Sequence, residues 1–434
     1  MLKTTDEKGN IIYHFKPLNE IFKEASVKFD GHNNILFLAN EALLYKSNLH
    51  FRSDEALIFI ANSSVTAEIA LDYKCSCYIG NAIFFNYWLM SRYIQISEKS
   101  NFVMGDNSLL SGSIVFESFD WHLVYDSKDN KRINKSKSIF MGDHCWLGRG
   151  LSVLKGASIF SGAIIGADSV VTAKPFFSNS INAGNPCKER KKEIFWSGEC
   201  LLTHDDDGLQ KYDIMQKDDF KFSFEKDKFL NPTLLDERLN ALDTAAEKLE
   251  FVYDYIYNNT YKNRFALFEN SDTSTCTLYK DKSKASFKSL EFKNVSSKTL
   301  SALNLPVGAV EKIKNQLSYK LGQAMILNSK SLAQILQMPF ILYKIYKEHC
   351  FEEKIKQINI KQNLIPKPLK LEDYADFNEA LKIKNHLSYK LGQSFIKSLN
   401  NKYLFFFFFW GGGFSNLYFT IFQNCLENLR KNAA

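Results

Sequence analysis

Every sixth residue from Met141 onward is apolar: Met141, Leu147, Val153, Ile159, Ile165 and Val171. Glycine follows directly at Gly142, Gly148 and Gly166, and the other positions are small or polar, as at Gly156, Ser161, Gly162, Ala163 and Ser169. A period of six belongs neither to an α-helix, which repeats every ~3.6 residues, nor to a strand that alternates every two. A fixed repeat implies stacked like units. The winding that fits is a parallel β-helix of triangular section. One hexad makes a flat side, three make a coil, and coils stack about 4.8 Å apart. The apolar residue points into the prism. The small residue after it sits at a corner where a larger side chain would clash.

The pattern continues upstream as the triplet apolar–Ala/Gly–Asn/Asp. It occurs at Leu38-Ala39-Asn40, Ile60-Ala61-Asn62, Ile79-Gly80-Asn81, Met104-Gly105-Asp106 and Met141-Gly142-Asp143. The first intervals suit one coil with a short insertion. The last, from Met104 to Met141, suits either two coils or one coil carrying a long loop. These spacings predict an N-terminal segment over residues 1–32 and a β-helix over 33–192. The chain of 434 residues leaves room for further domains.

Composition narrows the class. With 45% hydrophobic and 24% charged residues, the chain is neither mostly disordered nor a polytopic membrane protein. The excess of 55 Lys+Arg over 48 Asp+Glu is small and dispersed, so no nucleic-acid partner is expected. The eight cysteines show no zinc spacing and are expected as reduced thiols. The N-terminus lacks an apolar signal core, which points to a cytoplasmic location.

The interval before Met141 contains Asp120-Trp121-His122-Leu123-Val124-Tyr125-Asp126. With the GDHCWLG segment at 142–148, SVVTAKP at 169–175 and AGNPCK at 183–188, this stretch resembles the hexapeptide-repeat O-acetyltransferases that use acetyl-CoA. The likeness is strongest to enzymes that acetylate sialic acid and other surface polysaccharides. It implies a left-handed parallel β-helix, mainly β, followed here by a mainly α-helical C-terminal region. It also implies a homotrimer with sites at subunit interfaces.

The resemblance puts a general base at His122, a residue type whose ionisation suits proton transfer at neutral pH. Three carboxylates, Glu117, Asp120 and Asp126, are near enough in sequence to orient it. Asp120 is favoured, because residues two apart share a side of an extended segment. The resemblance implicates Trp146 as a donor-side residue. His144, two positions earlier, reads as a coil-surface residue. For acetyl-CoA, the resemblance implies small outer positions at Gly148, Gly166 and Ala167, and cations for the phosphates at Lys174, Lys188 and Arg190. The family has Thr-Lys after its two valines, whereas this chain has Thr172-Ala173-Lys174. No metal is expected, because His122 and His144 are the only histidines between residues 60 and 200.

After residue 192 the hexads stop. Residues 193–300 read as a helical extension and linker. Helical spacing over 233–258, with Leu234, Leu235, Leu239, Leu242, Ala245, Leu249 and Val252, predicts an amphipathic helix, and a Ser/Lys-rich linker covers 271–300. The acidic Asp205-Asp206-Asp207 reads as a solvated loop. Residues 301–434 hold a duplication: IKNQLSYKLGQAMI at 313–326 returns as IKNHLSYKLGQSFI at 383–396. This motif resembles a non-catalytic appendage of lipooligosaccharide and capsule glycosyltransferases from campylobacter-type bacteria. It implies a localising role at the cytoplasmic face of the inner membrane or beside a glycosyltransferase. The uncharged SLAQILQMPFILY at 331–343 is too short to span a bilayer. It suits either a membrane interface or a buried helix. The apolar stretch 403–422 contains Gly411-Gly412-Gly413, which a slipping guanine tract would encode.

The expected function is acetyl transfer from acetyl-CoA to a hydroxyl of a cell-surface glycan. Two alternatives stay open: another acceptor, such as a nucleotide-linked amino sugar, and a non-catalytic glycan-binding scaffold.

Overall fold

The computed structural model describes residues 1–85, 92–199, 213–215, 219–295, 309–329, 331–361, 370–374 and 376–399. The chain divides into two units, Met1–Asn304 and Leu305–Ala434. The triple Asp at 205–207 and the apolar stretch 403–422 lie outside the described residues, as do Cys200 and Cys425. The remaining six cysteines are free thiols.

The first unit is built on a parallel β-solenoid. The chain visits three sheets in rotation. Ile139–Met141 lies in a 10-stranded sheet, Trp146–Leu147 in a 6-stranded one and Ser152–Leu154 in a 7-stranded one; Ser158–Ile159 then returns to the first. Met141 aligns with Ile159, Leu147 with Ile165 and Val153 with Val171, so one coil is three hexads. All six side chains are buried inside the prism. The upstream triplets stack in the same column, as Leu38, Ile60, Ile79, Met104 and Met141 align in succession. The interval before Met141 is therefore one coil carrying a long loop.

The triplet's polar residue closes the corner between coils. Asn62 Oδ1 accepts the Glu41 N–H, Asn81 Oδ1 that of Asn62, Asp106 Oδ1 that of Asn81, and Asp143 Oδ1 that of Asp106, at 2.6–3.2 Å. Ser161 Oγ continues the ladder at the Asp143 N–H, 3.0 Å away. Each bond satisfies a backbone donor that the turn takes out of the sheets. Where aspartate makes the ladder it leaves room only for glycine: a Cβ on Gly80 would lie 2.5 Å from Asp106 Oδ1, and one on Gly105 would lie 2.4 Å from Asp143 Oδ1.

The solenoid begins earlier than residue 33. Ile11–His14 pairs in parallel with Ile35–Leu38, and Ser26–Phe29 pairs with Asn48–Phe51. This part was hidden because its ladder runs through Asn10 and Asn34, which stand before the strands, while strand Ile11–His14 is followed by no apolar–Ala/Gly–Asn/Asp triplet. Asn10 Oδ1 accepts the Asn34 N–H and Asn34 Oδ1 accepts the Ala56 N–H, both at 2.9 Å.

Strands Ile35–Leu38 and Leu57–Ile60 are buried on both faces. Their outward side chains Ile35, Phe37, Leu57 and Phe59 pack under the helical segment. That segment is two helices, Pro232–Asn240 and Ala245–Phe251, rather than one. Asn231 caps the first, and its Oδ1 accepts the Thr233 N–H. Thr244 starts the second through a reciprocal capping box with Glu247. The stretch expected as a linker is folded through residue 295. Phe287 sits in the same core, and Lys293–Val295 pairs in parallel with Leu2–Thr5.

Two buried cations tie this layer to the solenoid. Arg264 reaches the corner ladder: its Nη2 lies 2.8 Å from Asp143 Oδ1 and 3.0 Å from Asp106 Oδ2. Its Nη1 donates to the Ile256 and Asn259 carbonyls. Burial opposes the guanidinium charge, but Asp143 and Asp106 outweigh it and raise the Arg264 pKa. Lys248 donates to the Lys74 carbonyl, and burial pushes its pKa down from 10.5 to about 8.

The Lys248 shift has a defined sign. Between pH 8 and 10.5 the unfolded chain holds more protons on this amine than the folded one, so stability rises with pH across that window. Below it, the buried charge costs roughly 3 kcal/mol. Lys248→Met removes the charge and also one donor to the Lys74 carbonyl. The expected net gain at pH 7 is about 1–2 kcal/mol. Denaturant titrations at pH 7 and pH 9.5 check it: the wild type should gain more stability across this interval than the variant.

In the second unit the two copies of the duplication pack on each other. Each is a short helix followed by a longer one: Ala309–Lys314 with Leu317–Leu327, and Phe377–Lys384 with Leu387–Leu399. The long helices cross at their glycines. A Cβ on Gly322 would lie 1.7 Å from the Ser388 carbonyl oxygen, and one on Gly392 would lie 1.8 Å from that of Ser318. The reciprocity is that of a pseudo-two-fold pair. Asp376 reinforces it by accepting the Ala309 and Val310 N–H groups at 2.9 Å. The stretch 331–343 lies in the Leu332–Lys361 helix. Met338 and Leu342 are buried against Leu321, Met325, Leu391 and Phe395, while Phe340 is exposed. Among the described residues, no helix is long and apolar enough to cross a membrane.

Candidate active site

The loop carrying His122 runs from strand Ile114–Glu117 to strand Ile139–Met141. Its outer part is a hairpin: the Ile133 N–H donates to the Val124 carbonyl at 3.0 Å and the Asp126 N–H to the Lys131 carbonyl at 2.8 Å. Arg132 anchors the hairpin to the solenoid by gripping Glu98 with both terminal nitrogens. That pairing holds the Glu98 carboxyl at about 2.

Asn134 ties the hairpin to the segment before it. Its Nδ2 donates to the His122 carbonyl at 2.7 Å and to Asp120 Oδ2 at 2.9 Å, and its Oδ1 accepts the Val124 N–H at 2.9 Å. Lys155, from the following coil, donates to Asp120 Oδ2 at 2.5 Å. This lysine is the main cause of the lowered Asp120 pKa, aided by Asn134.

His122 is exposed. Among the described residues, its ring accepts and donates no hydrogen bond, and neither nitrogen is committed to any of them. The carboxylates nearest in sequence are engaged elsewhere. Asp120 faces Lys155 and Asn134, and Glu117 Oε1 accepts the Trp121 indole N–H at 2.9 Å. Asp120 thus grips the loop, with no bond to the imidazole. Around the histidine, Trp121, Leu123, Val124, Tyr125 and Ile133 all face water.

Trp146 stands on the outer face of the 6-stranded sheet. It aligns with Leu109 on one side and Ile164 on the other. The row extends to Phe84 and Ile181, giving an outward apolar column along the flank. Trp146 touches Trp196 at 5.8 Å between ring centroids. The Trp121 and Trp196 indole N–H groups are both taken, the latter by the His144 carbonyl at 2.9 Å. That of Trp146 donates to no described residue.

His144 is not at the coil surface. It is 5% exposed, held between the rings of Trp196 and Phe220 with both centroids 3.9 Å away. Burial lowers its pKa. Its Nε2 lies 3.0 Å from the Trp196 carbonyl, an acceptor, so Nε2 carries a proton and donates it there. The residues after 192 fold back over this corner, which no repeat in the sequence announces.

Gly148 and Gly166 are dictated by coil stacking. A Cβ on Gly148 would lie 2.6 Å from the Ala167 nitrogen, and one on Gly166 would lie 2.9 Å from the Ala183 Cβ. Ala167 is exposed beside them. Lys174 and Arg190 meet at the last coil, where both act on the buried Cys187 thiol; burial raises the pKa of that thiol and the two cations oppose the rise. Lys174 lies over the Phe176 ring, Arg190 Nε donates to the Ala183 carbonyl, and Lys188 is exposed on strand Lys188–Lys191. Among the described residues, no group of three or more His, Cys, Asp or Glu is arranged to hold a metal.

Comparison with known proteins gives two kinds of likeness. Part of the chain is 30% identical over 119 residues to a polysialic acid O-acetyltransferase of Escherichia coli O1:K1, covering 27% of this chain and 38% of that protein. It is 26% identical over 134 residues to the polysialic acid O-acetyltransferase of Neisseria meningitidis, covering 29% and 58%. The chain thus spans less than two thirds of the length of either relative. The crystal structure of a polySia-specific acetyltransferase aligns at 26% identity and a TM-score of 0.37, over 46% of this chain and 90% of that one. Residues 243–424 match a family described as a domain of unknown function (DUF8374).

Proposed function

We propose that this protein transfers the acetyl group of acetyl-CoA to a hydroxyl of a sialic-acid-containing surface glycan, with His122 as general base. The observation that carries this reading is the uncommitted imidazole of His122 on a loop fixed by Asn134 and Lys155. The similarity to polysialic acid O-acetyltransferases supports the acceptor class.

His122 takes the proton of the acceptor hydroxyl as its oxygen bonds to the thioester carbonyl carbon. The carbonyl oxygen becomes an oxyanion, and a fixed donor there lowers the barrier. Trp146, whose N–H has no partner among the described residues, is the candidate. Collapse of the adduct breaks the carbon–sulfur bond. The His122 imidazolium returns the proton to the departing thiolate, which leaves as free coenzyme A. Asp120 acts on this step through the loop. The small corners at Gly148, Gly166 and Ala167 admit the pantetheine arm, and Lys174, Lys188 and Arg190 meet the phosphates.

The apolar column through Trp146 and the exposed apolar residues around His122 are surfaces of the kind that protein contacts cover. In our reading a homotrimer covers them, and the loop of one copy closes over the Trp146 flank of the next. The C-terminal unit carries no part of the chemistry. Its exposed Phe340 and Phe351 suit peripheral attachment at a membrane surface.

The test is free-thiol release from acetyl-CoA by the full chain, with sialylated and unsialylated oligosaccharides. Release that requires the sialylated acceptor supports the proposal. Equal release with both moves the acceptor to another glycan, and no coenzyme A binding removes the transferase reading.

A further inference from the structure

We infer that Asn134 is a positioning residue, whose side-chain amide fixes the backbone at His122 and so sets where the imidazole stands. The inference rests on His122 being the base. Asn134 is 8% exposed within a loop whose other side chains largely face water. Trp121, Leu123 and Tyr125 are 61%, 58% and 53% exposed, so packing contributes little to holding this segment. Hydrogen bonds must hold it, and they converge on one side chain.

Every bonding site of the amide is matched to its neighbour. Nδ2 faces two acceptors, the His122 carbonyl at 2.7 Å and Asp120 Oδ2 at 2.9 Å. Oδ1 faces two donors, the Val124 N–H at 2.9 Å and Arg132 Nε at 3.2 Å. Rotating the amide by half a turn would set oxygen against oxygen and N–H against N–H at all four contacts, so its orientation is determined. The backbone carbonyl of Asn134 is itself held by Lys155 Nζ at 3.3 Å and Arg132 Nη2 at 3.2 Å. The His122 carbonyl is thus coupled to two cations rooted in the solenoid and the hairpin. No other side chain has both the length and the mixed donor–acceptor end. Aspartate would set a second carboxylate against Asp120, and glutamine would push the His122 carbonyl outward.

The experiment compares Asn134→Ala, the isosteric Asn134→Asp and Lys155→Met with wild type and His122→Ala, all as full chains. Three quantities are read: thiol release, its pH–rate profile and amide hydrogen exchange. Misplacement of a catalytic group by about an ångström costs on the order of 100-fold. The expected result is a kcat lowered roughly 10- to 100-fold in both Asn134 variants, with KM for acetyl-CoA within about two-fold. The limb of the pH–rate profile that His122→Ala abolishes should flatten in the variants, which a mere loss of folded protein would not do. Amide exchange at residues 122–124 should quicken while the solenoid strands stay protected. Lys155→Met should move all three readouts in the same direction. A kcat within two-fold of wild type in both Asn134 variants overturns the inference, as does unchanged exchange at 122–124. Wild-type turnover by His122→Ala overturns the base assignment instead, and the exchange data then still report whether Asn134 holds the loop.

Discussion

His122→Ala is expected to lower acetyl transfer by about 100- to 10,000-fold without changing thermal stability or coenzyme A binding. A sugar hydroxyl is a weak nucleophile at neutral pH, so attack on the thioester depends on proton removal in the transition state. His122 is exposed and its ring bonds to no described residue, so its loss leaves no buried partner unsatisfied. Asn134 grips the His122 backbone carbonyl, which alanine keeps. Loop geometry should therefore survive and the chemical step alone should fail. Steady-state thiol release beside a melting curve checks both halves. An active variant would remove the base assignment.

Arg264→Met is expected to have the largest effect on stability, a loss of about 3–5 kcal/mol. The guanidinium stands between Asp106 and Asp143 and also takes the Ile256 and Asn259 carbonyls. Methionine fills much of the volume but supplies no donor. Two carboxylates and two carbonyls are then left facing one another out of water. The melting temperature should fall by roughly 10 °C. Acid should partly relieve the defect. Without the cation, the carboxylate pKa values rise in the folded variant, so its stability recovers relative to wild type as pH falls through them. Melting curves at pH 5 and pH 8 check this, with the difference between the two proteins smaller at pH 5. An equal difference at both would mean that the loss is one of packing.

How much of this was legible in the sequence depended on whether a residue acts through a repeat. The hexads from Met141 to Val171 determine their own neighbours, because each must stack on the residue one coil away. The Asn/Asp of the triplets, and the glycine at Gly80, Gly105 and Gly142, follow from the same stacking, through the corner ladder. The first strands escaped because Asn10 and Asn34 build their ladder ahead of the strands, outside the triplet that marks the later coils. Residues that act across long separations left no local mark. Arg264 meets Asp143 from 121 positions away, and Trp196 reaches His144 from 52. The site divides in the same way. His122 and Trp146 are recognisable from motifs, whereas Asn134 and Lys155 are polar residues in a polar stretch until the loop closes on them. The duplicated Leu-Gly-Gln motif was visible as a repeat, but its reciprocal glycine crossing needed the fold.

The central claim is transfer of an acetyl group to a glycan hydroxyl, and the product tests it most directly. Incubation of the full chain with acetyl-CoA and a polysialylated oligosaccharide, followed by mass spectrometry before and after mild alkali, reads it out. The account predicts oligosaccharide heavier by whole acetyl groups, in step with thiol release, and a return to the starting mass in alkali because oxygen esters hydrolyse there. An unmodified oligosaccharide from folded protein that binds coenzyme A would contradict it, and so would an added acetyl group that survives alkali as an amide does.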